Sequence, residues 1–214
     1  MAFKLYISPS DQNRNVGIGS YGTEEQRMNA LADALERELF ANEIPYIRGG
    51  RTMEIEDRME ESDNLGCTHY LALHSDAGGG HGPTAFYYSD SGKEFANAIM
   101  GQVLNLAPDN NRAQNVRQNK NLMETRGQKA IAVLLETGFH DCEKEAAYIA
   151  DHPDEYAAAV CKGICHYLGK VYKKPERKIY RVQVGAFAEY RNAAALLEKF
   201  QKMGYSGFII TKEL

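Results

Sequence analysis

Apolar residues in the first 170 positions follow two alternating patterns, short solid runs and longer stretches with helical spacing. The solid runs predict buried strands and the spaced stretches predict amphipathic helices. The predicted strands cover residues 3–7, 45–48, 69–74, 84–88 and 131–135, and the predicted helices cover 24–41, 53–64, 92–106, 143–150 and 154–171. The alternation predicts an α/β fold, a mostly parallel twisted sheet with helices on both faces.

A polar, charged stretch at 173–178 separates this pattern from the last residues of the chain. Beyond it, the pattern predicts a strand at 180–187, a helix at 193–203 and a strand at 207–211. We therefore expect a catalytic-sized domain at 1–172, a linker at 173–178 and a small βαβ module at 179–214. A module of that size cannot bury a full core alone.

Composition narrows the class of protein. The chain has 214 residues, 43% of them hydrophobic, and a net charge of -4. No apolar run approaches the roughly 18 residues of a membrane span, and the mild acidity argues against nucleic acid as the main partner. The four cysteines lack a CxxC pair, which predicts reduced thiols, and the first residues lack the pattern of a signal peptide. We expect a globular protein made in the cytoplasm.

Candidate chemistry lies where the predicted parallel strands end, since ligands bind beyond the carboxyl ends of such strands. Three places qualify: the segment 8–12, His74 and Glu136. A carboxylate such as Glu136, at the end of a buried strand, either pairs with a cation or has a raised pKa suited to proton transfer. Taken alone, His74 is better explained as a structural histidine bonded to a carbonyl.

Glu25 adds a second carboxylate, in the first turn of the helix predicted at 24–41. Taken alone, Glu25 is explained as an acidic residue that the helix dipole stabilises in the first turn. Together with His74 and Glu136, however, it completes the set that a hydrolytic zinc site requires, namely imidazole and carboxylate ligands, room for water and a general base. The sequence thus indicates a zinc site without a local motif such as HExxH.

Several motifs then make the chain resemble the type 3 N-acetylmuramoyl-L-alanine amidases over about residues 3–170. They are Glu25-Gln26-Arg27-Met28-Asn29, Arg58 with Ser62-Asp63-Asn64, Leu71-Ala72-Leu73-His74-Ser75-Asp76-Ala77 and Val133-Leu134-Leu135-Glu136-Thr137-Gly138-Phe139. The resemblance implies a Zn²⁺ hydrolase that cleaves the amide between N-acetylmuramic acid and L-alanine in peptidoglycan. It also implies that Glu25 and His74 are zinc ligands and that Glu136 is the catalytic carboxylate.

One motif departs from that family. The first ligand is usually a histidine in a Gly-His-Gly turn after the first strand, and here the turn reads Ser8-Pro9-Ser10-Asp11-Gln12. Gln12 is our preferred third ligand, and Asp11 is the alternative. His81 and His140 are the other histidines that could approach the metal, and we expect them to contact substrate or to be structural.

The C-terminal pattern resembles the first half of a SPOR (sporulation-related) domain, a module that binds peptidoglycan strands. A whole SPOR domain has two βαβ halves and one is present, so the half is either a remnant or pairs with that of a second chain to form a homodimer. The resemblance implies cell wall lysis, by a phage or prophage endolysin or a mother-cell enzyme. The competing interpretations are a wall-binding protein without catalysis and a zinc peptidase that cuts the stem peptide.

Overall fold

One six-stranded sheet organises the first part of the chain, in the strand order β2-β1-β3-β6-β4-β5. The strands are β1 (Leu5–Pro9), β2 (Tyr46–Arg48), β3 (His69–Asp76), β4 (Thr84–Tyr87), β5 (Val116–Gln118) and β6 (Ile131–Phe139). β4 runs antiparallel to β6, and the other neighbouring strands pair in parallel. The predicted fold, a mostly parallel sheet, is confirmed.

The computed structural model describes residues 2–107, 109–176 and 183–211. Its helices are α1 (Glu24–Ala41), α2 (Ile55–Asn64), α3 (Asp90–Val103), α4 (Met123–Arg126), α5 (Glu143–Asp151), α6 (Pro153–Tyr167) and α7 (Tyr190–Lys202), with a 3₁₀ turn at Leu104–Leu106. Within these residues, no helix has the length and apolar character needed to cross a membrane. All four cysteines are free, as predicted.

Both faces of the sheet are covered because its central strands carry apolar side chains on alternate sides. The larger core joins one face to α1, α3 and α6, through residues such as Leu71, Leu35 and Ile164. The smaller core, on the opposite face, includes Tyr6 and Tyr70. Alternate residues of β3 from Tyr70 to His74 lie on this second face, so His74 lies at the edge of the smaller core.

Contacts divide the chain into two units, Met1–Glu176 and Arg177–Leu214. In the second unit, the predicted helix is present as α7, whereas residues 183–187 and 207–211 contain no strand. Residues 180–182 of the predicted strand lie outside the described residues. Within the described residues of this unit, only the helix of the expected βαβ module is present, because two short strands without further partners do not make a stable sheet.

Candidate active site

The imidazole of His74 lies between two buried glutamates. Its Nδ1 is 3.0 Å from Oε1 of Glu24, and its Nε2 is 2.8 Å from Oε2 of Glu124. All three side chains are buried. The arrangement brings together α1, β3 and α4, three elements that are far apart in the sequence.

Glu24 reaches His74 because it is the first residue of α1. Thr23 caps the helix, its hydroxyl accepting from the main-chain N–H of Gln26 at 3.2 Å, and the positive end of the helix dipole favours a carboxylate at this position. Glu25, the residue that sequence reasoning selected, is half-buried, and it is Glu24 that contacts His74. Consecutive helical residues point about 100° apart, so only one of two adjacent glutamates can face the sheet.

The loop after β1 brings a neutral amide to the same carboxylate. Nε2 of Gln12 donates to Oε1 of Glu24 at 3.2 Å, and Nδ2 of Asn15 donates to Oε2 of Glu24 at 2.7 Å. Gln12 is exposed, whereas Glu24 is buried, so this side of His74 opens toward solvent. Asp11 is half-buried, and of the two alternatives it is Gln12 that contacts Glu24.

Glu136 is the register partner of His74 across β3 and β6, so their side chains lie next to each other on one face. It lies inside β6 rather than at its end, since the strand continues to Phe139. Its Oε2 and the Oγ1 of Thr84, the facing residue on β4, are buried and have no hydrogen-bond partner among the described residues. Burial raises the pKa of Glu136 to about 7, with nearby Asp76 and Glu24 adding repulsion.

The charges around His74 reinforce one another. Burial disfavours its charged form, but hydrogen bonds to Glu124 and Glu24 outweigh this and raise the pKa of His74 well above its ordinary value. Burial likewise opposes ionisation of Glu24, yet the bond to His74 lowers the pKa of that carboxylate. The carboxylates on both sides of His74 therefore favour its protonated form when no metal is bound.

The two remaining candidate histidines occupy different surroundings. His140 is 3% exposed, and its Nδ1 lies 2.9 Å from the Oγ of Ser75 and 3.9 Å from Oε2 of Glu24. Such burial leaves little surface for a substrate and favours a supporting role. His81 is much more exposed, and its Nδ1 lies 3.3 Å from Oε1 of Glu145.

His81 belongs to a second cluster with metal-binding potential. Ligand atoms of His81, Cys142 and Glu145 lie within 4.8 Å of one another. Both oxygens of Glu145 are already used, however, because they accept from the main-chain N–H groups of Gly82 at 2.9 Å and Phe139 at 2.7 Å. This carboxylate ties the glycine loop to the end of β6, which explains its position without a metal.

Two of the residues at His74 were not found from the sequence. Glu24 had a usable signal, since the capping box located the helix start to the residue. Glu124 had none, because α4 is a single turn without apolar periodicity, and its approach to His74 depends entirely on the path of the chain between β5 and β6.

Comparisons with known proteins identify the family to which this fold belongs. The pattern of the N-acetylmuramoyl-L-alanine amidase family matches residues 7–166, and that of the SPOR domain matches residues 148–211. The amidase CwlM of Bacillus licheniformis is 21% identical over 98% of this chain and 85% of its own length. A sporulation-specific N-acetylmuramoyl-L-alanine amidase of Bacillus subtilis (strain 168) is 22% identical over the same shares.

Solved structures show the same fold. The catalytic domain of CwlV from Bacillus (Paenibacillus) polymyxa superposes with a TM-score of 0.70 at 22% identity, covering 78% of this chain and 99% of that one. The amidase AmiC2 of Nostoc punctiforme gives a TM-score of 0.70 at 18% identity, covering 78% and 98%. Because the family pattern spans most of the first unit, the chain belongs to the N-acetylmuramoyl-L-alanine amidase family and is a hydrolase of that class.

Proposed function

We propose that this protein hydrolyses the amide between N-acetylmuramic acid and L-alanine in peptidoglycan with a zinc ion held by Glu24, His74 and Gln12, and with Glu136 as the catalytic carboxylate. The observation that carries the proposal is the placement of Glu136, with its unpartnered buried oxygen, beside the His74–Glu24 pair. Glu24 replaces Glu25 in the ligand set because it is the glutamate that reaches His74.

The donors present fit zinc. Imidazole nitrogen and carboxylate oxygen are ordinary zinc ligands, and ligand atoms around a tetrahedral zinc lie roughly 3.4 Å apart. His74 Nδ1 and Glu24 Oε1, at 3.0 Å, have a similar spacing. Oε1 of Gln12 accepts from Nδ2 of Asn15 at 3.2 Å while its Nε2 faces Glu24, so ligation of zinc by Gln12 requires its side chain to turn the amide oxygen toward Glu24.

Zinc bound there supplies a Lewis acid that polarises an amide carbonyl and lowers the pKa of a water molecule. The chain supplies the proton transfer. With a pKa of about 7, Glu136 is poised both to accept a proton at Oε2 and to return it to the leaving amine.

The test is digestion of purified peptidoglycan by the wild type and by Glu136→Gln and Glu136→Ala variants, with mass spectrometry of the products. Loss of the general base removes about 10²–10⁴-fold in rate, and the wild type releases stem peptides with a free L-alanine amine. Glu60→Gln, an exposed residue of α2, is the matched control and retains activity. Cleavage within the stem peptide would support a peptidase instead, and no cleavage by the wild type would support a binding protein.

For the second unit, we propose binding to peptidoglycan and pairing with the same unit of another copy. The match to the SPOR pattern supports the first part. The second is supported by the exposed apolar side chains of this unit, taken with the absence of strands at 183–187 and 207–211, which leaves two strand-patterned segments for a second copy to pair with. The exposed apolar side chains are those of Val184, Phe187, Tyr190, Met203, Tyr205, Phe208 and Ile210.

Sedimentation of the full chain tests the pairing. Phe208 is 78% exposed, and we expect Phe208→Asp to shift a dimeric wild type toward monomer, because a charge in an apolar interface is poorly solvated. Gln201→Asp, an exposed position on α7, controls for added charge. A wild type that remains monomeric at high concentration would refute the pairing and leave the catalytic proposal intact.

A further inference from the structure

Glu124 occupies a fully enclosed position behind His74. It is 4% exposed, and its Oε2 lies 2.8 Å from Nε2 of His74. Its Oε1 accepts from the hydroxyl of Tyr70 at 2.8 Å and from that of Ser8 at 2.9 Å. Both donors are themselves buried. Every contact of this carboxylate therefore serves to hold it against the imidazole.

The two nitrogens of His74 face different surroundings. Nδ1 faces Glu24, which contacts the exposed Gln12, so a cation and a substrate can approach from that side. Nε2 faces Glu124 and, beyond it, the buried hydroxyls of Ser8 on β1 and Tyr70 on β3. A single imidazole can bind a metal through one nitrogen and donate a proton from the other, and the partner of the second nitrogen decides which is which.

We propose that Glu124 is a positioning residue that keeps the proton of neutral His74 on Nε2 and so directs the Nδ1 lone pair toward the metal. This inference rests on the proposed zinc site. A carboxylate that accepts from the outer nitrogen of a ligating histidine fixes the ring orientation and increases the basicity of the ligand. Glu124 does not take the place of the absent histidine as a ligand, because its Oε2 is engaged by the nitrogen that faces away from Glu24.

The hydroxyls of Ser8 and Tyr70 give this role its own support. Both donate to Oε1 of Glu124 and so leave Oε2 for His74. The Tyr70 ring also stacks on Tyr6, with centroids 5.4 Å apart and planes within 4°. Two adjacent strands thus hold a carboxylate that is almost completely buried.

Glu124→Gln is the direct test, since it keeps the shape and removes the charge. We expect it to bind one zinc per chain with about 10–100-fold lower affinity, measured by competition with a chelator. Tyr70→Phe removes one hydrogen bond to Oε1, and we expect a smaller loss. The matched control is Glu61→Gln, which removes a carboxylate that accepts from Tyr6 on the same face without touching His74, and we expect wild-type affinity.

A second measurement separates positioning from general loosening of the fold. Long-range proton–nitrogen NMR of the zinc-loaded wild type should show the His74 proton on Nε2 and the metal on Nδ1. A proton on Nδ1, or Glu124→Gln with wild-type zinc affinity, would overturn the inference while leaving the zinc site intact. A wild type that binds no zinc at all would overturn the inference together with the proposed function.

Discussion

Replacing Glu136 with glutamine should make the metal-free protein more stable at neutral and alkaline pH, although it removes activity. Burial raises the pKa of this carboxylate from its ordinary 4.5 to about 7. The folded state therefore holds the proton more tightly than the unfolded state does. Between those two values the unfolded chain is already ionised, so stability is highest below pH 4.5 and falls as the pH rises through 7.

The size of the effect follows from the same two values. A rise from 4.5 to about 7 corresponds to about 3.5 kcal/mol at roughly 1.4 kcal/mol per pKa unit. Glutamine does not titrate, so the variant escapes this loss. Its amide occupies the same unpartnered position as Oε2, but that cost is independent of pH and cancels when two pH values are compared.

Urea unfolding of metal-free protein, followed by far-UV circular dichroism at pH 4.5 and pH 8, measures the difference. The free energy of unfolding of Glu136→Gln minus that of the wild type should grow by about 2–3 kcal/mol between the two pH values. Glu60→Gln, exposed on α2, should show no such growth. A constant difference for Glu136→Gln would show that the carboxylate is well solvated and would refute its role as a base with raised pKa.

Three further predictions concern the metal. Glu24→Gln should lose most zinc affinity and Glu25→Gln should keep it, as measured by metal analysis after dialysis. Loss of zinc in Glu25→Gln but not in Glu24→Gln would identify Glu25 as the ligand. Zinc uptake should release a proton from His74, whose pKa is raised. The calorimetric heat of binding should therefore depend on the buffer, and zinc affinity should increase with pH. A heat of binding that is independent of the buffer would contradict this. Cys142→Ser should leave the zinc content unchanged. Loss of zinc from this variant would instead assign the metal to the cluster around His81.

Much of the fold was predictable because it depends on local patterns. The strands that hold the site, β1, β3 and β6, are solid apolar runs, and α1 begins at the capping box that predicts it. β5 and α4 were missed because each is short and contains a single apolar residue, Val116 or Met123, so neither shows an apolar pattern. In the second unit, residues 183–187 and 207–211 carry a strand pattern but form no strand, since pairing needs a partner that a single pattern cannot supply.

Site residues were predictable only where the arrangement of the strands alone determines their position. His74 and Glu136 follow from neighbouring parallel strands, whose register makes them adjacent. The choice between Glu24 and Glu25 depends on the rotation of α1 against the sheet, which tertiary packing decides. Glu124 depends on a loop path, and no residue pattern encodes the meeting of its carboxylate with His74.

Diffraction from zinc-loaded crystals at the zinc absorption edge tests the central claim most directly, because the anomalous signal locates the metal without assuming its ligands. We expect one peak per chain, surrounded by Nδ1 of His74, a carboxylate oxygen of Glu24 and the amide oxygen of Gln12, with Glu136 beside it. A peak at His81, Cys142 and Glu145 instead, or no peak in protein that hydrolyses peptidoglycan, would contradict it.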